Sequence, residues 1–384
     1  MTPFVDFLYF GVLLYPLIPA VALGLLGRLG GRFALVATAF MLCVQYWPGD
    51  AAWLQPLSLL AAFGALQLTV AWGLARARAG GPRRWAFYLA LALALAPLLV
   101  SRYASSHSAA WDPGFVGLSY VTFRSLDVLF NIQDGVVASV SPAVFLGYLF
   151  FFPSVSAGPI DRYRRFLEDW APRGRADYLM DLDAGVDRIF RGLLYKFILA
   201  ALIQTHWLAP LEHQSGIAAT VAYMYAYSLY LFFDFAGYSA LAVGVSRCLG
   251  VRTPENFDQP FRSLNIRELW NRWHMSLSFW FRDHVFTRFL LAATRGRWFK
   301  DRTTASHLGL LLTMGLMGLW HGTALRYLTY GLYHGVLLVV HDVFTRRRKA
   351  RGGASPGVLA RAAALALTFN AVCFGFLIFS GRLF

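Results

Sequence analysis

The sequence predicts an all-α, polytopic membrane protein, and three observations predict it. Of 384 residues, 58% are hydrophobic and only 14% are charged, whereas soluble domains carry roughly 25% charged residues. The apolar residues come in closely spaced runs, many near the length of about 20 residues that a helix needs to cross a hydrocarbon core. The formal charge of +15 sits in short connections between those runs. That distribution points to topology and anionic headgroups, and away from nucleic acid. Helices are the expected element because a backbone in lipid must satisfy its own polar groups.

Taken in order, the runs lie near 4–26, 33–48, 53–75, 85–101, 115–131, 136–153, 189–210, 217–247, 265–292, 306–324, 325–344 and 358–380. Several are short or long for one span. The expectation is about 10–12 membrane helices, some re-entrant or interfacial, in a single domain over 1–384. The first run opens "MTPFVDFLYF" without the basic region of a signal peptide, so it is read as a retained span. Basic clusters at Arg28/Arg32, Arg76/Arg78/Arg83/Arg84 and Arg346–Lys349 belong in the cytoplasm, which puts the N-terminus outside. The least apolar stretch, 161–191, begins "DRYRRFLEDW". It is read as a cytoplasmic juxtamembrane amphipathic segment able to dock a soluble partner, with a solvated loop as the plainer alternative.

Two stretches carry chemistry. In "NRWHMSLSFWFRDH", Arg267, Asn271, His274, Ser278 and Arg282 recur at helical spacing and form one polar stripe, with Trp270, Trp273 and Trp280 on other faces. An interfacial helix explains the arginines and tryptophans. It does not explain the central His–Ser–Asn run. In "MGLMGLWHGTALRY", His321 lies inside an apolar helix, where an ionisable group is a functional hypothesis by default, although a neutral histidine hydrogen-bonded to a neighbouring helix is the competing reading. Gly318 and Gly322 form a GxxxG packing face. The echo "GLYHG" places His334 on a different helical face from His321. His107, His206, His213 and His307 have no motif around them and are read as structural or surface residues, and His341 as a membrane-edge residue.

Cys43, Cys248 and Cys373 are isolated, so neither a disulfide framework nor a thiolate metal site is expected. No HExxH, CxxC, GxSxG or Walker sequence occurs, so no metal, nucleotide or serine-hydrolase centre is expected. Two histidines in an apolar scaffold remain. A base of near-neutral pKa can take a proton from a hydroxyl that attacks an activated acyl group, while a second polar group orients it or stabilises the oxyanion.

The run "FAGYSALAVGVSRCLGVRTPENFDQPFRSLNIRELWNRWHMSLSFWFRDHVFTRFL" and the later "MGLWHG" resemble the membrane-bound O-acyltransferase (MBOAT) family, as do "GLSYVTFRSLDVLFN", "FFPSVSAGPIDRYRRF" and "TYGLYHGVLL". The resemblance covers about residues 115–340, and its wording is most similar to the branch that D-alanylates teichoic acid. Relatives in alginate O-acetylation share both histidines. The resemblance implies an MBOAT fold around a central tunnel, in the bacterial cytoplasmic membrane. It implies catalytic roles for His321 and His274, with Asn271, Ser278, Arg282, Asp283 and Trp320 supporting the tunnel. The donor implied is a D-alanyl thioester on a phosphopantetheine carrier protein, with no cofactor bound by the chain itself. The acceptor implied is a hydroxyl of teichoic acid or a similar envelope polymer, reached directly or through a small membrane relay peptide. Two further readings stand beside this one: an O-acetyltransferase acting on an exported polysaccharide, and a transporter using the two histidines as a polar path. The chain departs from its relatives at His284, where they commonly carry Tyr.

Overall fold

A computed structural model describes residues 2–46, 54–107, 115–350 and 357–384. Among them the fold is helical throughout, with one isolated β-bridge between Phe257 and Trp273. The chain forms two compact units, each assembled from two stretches: Met1–Leu193 with Tyr238–Pro254, and Leu194–Gly237 with Glu255–Phe384. The side chain of His107, read from sequence as structural, lies outside the described residues.

The first unit holds α1 (Phe7–Leu25), α2 (Gly31–Gln45), α3 (Leu54–Ala79), α4 (Arg84–His107), α5 (Leu118–Gln133), α6 (Pro142–Phe150), α7 (Tyr163–Glu168) and α8 (Arg175–Leu193). Its centre is an arginine. Arg124 on α5 is 1% exposed and donates to the carbonyls of Tyr148 (3.1 Å), Leu149 (3.2 Å) and Ser154 (2.9 Å) and to the Ser154 hydroxyl (2.5 Å). These carbonyls close the C-terminus of α6, where a helix leaves acceptors unsatisfied and carries partial negative charge. One buried cation thus caps a helix end.

The segment 161–191 is more than a solvated loop. Asp127 accepts from Arg162 at 2.9 Å and from the Tyr163 amide at 3.0 Å. Arg165 pairs with Asp161 and Asp169, Arg173 with Asp169 and Asp181, and Arg252 with Asp181 at 2.8 Å. Asp161, Asp169 and Asp181 are all buried, and the bond from Asp181 raises the pKa of the Arg252 guanidinium. α8 buries Tyr178 and Asp181 while exposing Leu179, Met180 and Phe190, so the expected amphipathic helix is present, fastened by a chain of ion pairs.

The second unit holds the π-helical stretches Leu194–Ala200 and Gln204–Leu208 around α9 (Ala201–Ile203), then α10 (Ala209–Glu212). α11 (Ile217–Cys248) starts in this unit and ends in the other. There follow α12 (Ile266–Trp270), α13 (Met275–Phe281), α14 (Thr287–Arg295), α15 (Arg302–His321), α16 (Leu325–Ala350) and α17 (Val358–Ser380). α15 and α16 form an antiparallel hairpin with a glycine seam. A Cβ on Gly331 would meet the Met314 carbonyl and Gly318, and one on Gly318 would meet the Tyr327 carbonyl and Gly331. The two echo motifs therefore pack on each other through their first glycines, which lets the backbones approach as closely as small residues permit.

Five helices among the described residues are long and apolar enough to cross a membrane: Phe7–Leu25, Pro56–Ala79, Arg84–Arg102, Ile217–Cys248 and Val358–Ser380. The shorter segments in the sequence expectation, such as Gly31–Gln45, fall below that length. The buried seam makes a clear prediction. Gly331→Ala should destabilise the protein by roughly 1–3 kcal/mol through overpacking. Gly73→Ala, on an exposed face of α3 with nothing within 4 Å of its Cβ position, should be neutral or stabilising. Thermal unfolding in detergent measures both, and equal shifts would contradict the seam.

Candidate active site

The site begins at the N-terminus of α12. Asn265 Oδ1 accepts the Glu268 amide at 2.9 Å, and Glu268 Oε2 accepts the Leu264 amide at 2.9 Å, a reciprocal cap that fixes where the helix starts. α12 then lasts only five residues. The expected single helix over 265–292 is not formed: the stretch divides into α12, α13, a π-helical run Arg282–Phe286, and α14. His274 sits at the break with φ +43° and ψ +50°, the left-handed region that non-glycine residues rarely adopt.

Neighbouring hydrogen bonds hold that conformation. The Asp258 amide donates to the Arg272 carbonyl at 3.0 Å, and the Met275 amide donates to the Asn256 carbonyl at 2.9 Å. The Ser276 hydroxyl donates to Asn256 Oδ1 at 2.6 Å. Residues 256–258 thus run beside 272–275 as the single bridge of the fold, and α13 restarts when the Ser278 amide bonds the His274 carbonyl at 2.9 Å.

The turn separates residues that sequence counting placed on one stripe. His274, 4% exposed, and His321, at the last position of α15, line one small chamber of about 60 Å³ with Phe235, Trp273, Tyr330, Phe376 and Phe379. That volume admits a few waters at most. Phe235 meets the His274 ring edge-on at 4.7 Å, and Phe379 meets His321 the same way at 5.0 Å. Trp320 stands beside both, 6.2 Å from His274 and 4.6 Å from His321 between ring centres. Among the described residues, His274 Nε2 has no hydrogen-bond partner.

Asn271, Ser278 and Arg282 line a different cavity, of about 640 Å³, within the range of small-ligand sites. Arg267, Arg302, Arg346 and Asp342 also line it, and its apolar wall includes Leu310, Met314 and Met317. Trp270 and Met317 line both spaces and so form the partition between them. The Ser278 hydroxyl is engaged with the Trp273 carbonyl at 3.1 Å. Arg282 stacks over Phe279 at 4.5 Å. Asp283 is exposed, pairs with Arg282 at 3.1 Å and lines neither of these two cavities. At the start of α15, Asp301 caps the helix by accepting the Thr304 amide and hydroxyl, each at 2.8 Å, which holds its carboxyl below the usual range.

The remaining histidines sort by contact. His334 is fully buried against Trp270, Tyr330 and Tyr333 and lines neither cavity. His206 and His213 are exposed. His307, expected to be a structural or surface residue, lies 3.0 Å from Asp342. Sequence reasoning missed Asp342, Asn256 and the partition residues Trp270 and Met317. Asn256 lies within the "PENFD" of the motif region, the one signal that marked it. No group of three metal-ligating side chains occurs among the described residues.

Residues 38–378 match the MBOAT, membrane-bound O-acyltransferase, family. The chain is 39% identical to the teichoic acid D-alanyltransferase of Bacillus subtilis over 398 aligned residues, covering 100% of this chain and 99% of that one. It is also 39% identical to the teichoic acid D-alanyltransferase of Streptococcus thermophilus, over 80% of this chain and 78% of that one. A probable alginate O-acetylase of Pseudomonas syringae is 32% identical over 69% of this chain and 48% of its own length.

The left-handed turn can be tested apart from the imidazole. His274→Gly should unfold at a higher temperature than His274→Ala, by about 1 kcal/mol, because only a residue without Cβ takes this conformation freely. An alanine variant as stable as the glycine variant would remove the backbone argument.

Proposed function

The chain belongs to the membrane-bound O-acyltransferase family and is a multi-pass bacterial membrane enzyme, and from that premise we propose that it moves D-alanine from a carrier-protein thioester to a hydroxyl of teichoic acid. The carrying observation is the pairing of His274 and His321 in one small, aromatic-walled chamber beside a large arginine-lined cavity. His307 and His321 are fourteen residues apart on α15, so the arginine end of the cavity lies roughly 20 Å along the helix from the histidines at 1.5 Å per residue. An extended phosphopantetheine arm suits that separation, with its phosphate among the arginines and its thioester at the partition. The arm arrives with the carrier, and the enzyme holds no cofactor of its own.

In the chamber, His274 Nε2 accepts the proton of the acceptor hydroxyl as its oxygen attacks the thioester carbonyl. His321 stabilises the oxyanion. The C–O bond forms, the C–S bond breaks, and the carrier thiol leaves with the proton. The product is a D-alanyl ester, formed on teichoic acid directly or on a small membrane relay that passes it on. O-acetylation of a polysaccharide is the weaker reading, because the alginate relative aligns with 69% of the chain where the D-alanyl relative aligns with all of it.

Membranes containing the protein, given carrier protein loaded with labelled D-alanine, should move label to teichoic acid. His321→Ala and His274→Ala should each slow transfer by about 10²–10⁴-fold, the usual loss of a general acid–base group. His334→Ala, outside the chamber, should lose less. Label that stays on the carrier, or equal losses at His321 and His334, would overturn the reading.

A further inference from the structure

Asp342 takes no part in the chemistry above, yet it is the most heavily engaged side chain at the arginine end of the large cavity. It lies on α16, 8% exposed, and side chains from three helices engage both its oxygens. Arg267 of α12 donates from Nη2 to Oδ1 at 3.0 Å, and Arg346 donates from Nε to Oδ2 at 2.6 Å. His307 Nε2 lies 3.0 Å from Oδ2 and fixes the carboxylate from α15.

The two arginines remain half exposed, each 55%, and both line the cavity with Arg282 and Arg302. A guanidinium presents five N–H donors in a rigid fork. Arg267 and Arg346 each commit one nitrogen to Asp342, which leaves the other edges of both forks for an anion. A carboxylate among arginines weakens their field, so its presence needs another reason. With Arg282 paired to Asp283, Arg267, Arg302 and Arg346 against one buried carboxylate still leave the cavity lining cationic, and the carboxylate fixes where two long side chains point. Stability alone accounts for it poorly, since pairs involving half-exposed arginines contribute little.

We propose that Asp342 is a positioning residue that holds Arg267 and Arg346 as a two-armed clamp on the phosphate of the incoming donor. The inference rests on the phosphopantetheine reading above. A lipid headgroup carries the same phosphate chemistry, and the experiment separates the two sources.

In nanodiscs, Asp342→Asn should raise KM for carrier-borne D-alanine by about tenfold or more, the size of a lost charge-assisted contact, with the loss falling on KM rather than kcat. Asp342→Glu should recover part of it. Free phosphopantetheine should compete with the donor more strongly than pantetheine on the wild-type enzyme, and Asp342→Asn should erase that preference. A fall in kcat alone, or a preference that survives the substitution, overturns the clamp while the proposed function stands. A KM loss that follows the content of anionic lipid rather than the phosphate of the competitor assigns the arginines to a headgroup and also overturns it. If the wild type moves no label from the carrier, the proposed function fails. Direct binding of phosphopantetheine against pantetheine then still decides the clamp.

Discussion

The imidazole of His274 reaches the chamber because its residue turns left-handed where a helix would otherwise run on. The turn costs roughly 1–2 kcal/mol, the order of one or two net hydrogen bonds. Asn256 supplies bonds of that kind through its carbonyl to Met275 and its side chain to Ser276. The local strain is therefore offset by a neighbouring loop rather than by the helices themselves. Without the turn, His274 would share a stripe with Asn271 and Ser278 and face the large cavity with them. With it, the polar groups are divided between two cavities.

The other histidine is placed by a different force. α15 and α16 meet through Gly318 and Gly331, and close backbone approach fixes the register of the hairpin more firmly than larger side chains would. That register puts His321 at one end of α15 and pairs His307 with Asp342 near the other. One seam thus sets both His321 and the ionic cluster around Asp342. His334, in the same echo motif as Gly331, is spent on packing against Trp270 and Tyr330.

Much of this was readable from local pattern. Composition and run length predict helices in a membrane, and the isolation of His321 in an apolar helix makes it a candidate. For His274 the expected helical stripe gives way to a left-handed turn. Helical counting assumes an unbroken helix, and nothing within 265–292 announces a left-handed residue, because the cause lies with Asn256, outside that run. Asp342 was invisible for the same kind of reason: Arg267, its partner, is 75 residues away. Buried ion pairs such as Asp181 with Arg252 look, in sequence, like any charged juxtamembrane segment.

The partition by Trp270 and Met317 explains why two cavities serve better than one. A thioester reacts with water as well as with an alcohol, and a cavity of about 640 Å³ lined by arginines is wet. The chamber of about 60 Å³, walled by Phe235, Phe376 and Phe379, has little room for solvent that is not itself the nucleophile. In the proposed reaction, a donor phosphate in the larger space and its carbonyl in the smaller one would let charge recognition and acyl transfer each proceed in the medium that favours it. A single wide tunnel would expose such a thioester to hydrolysis.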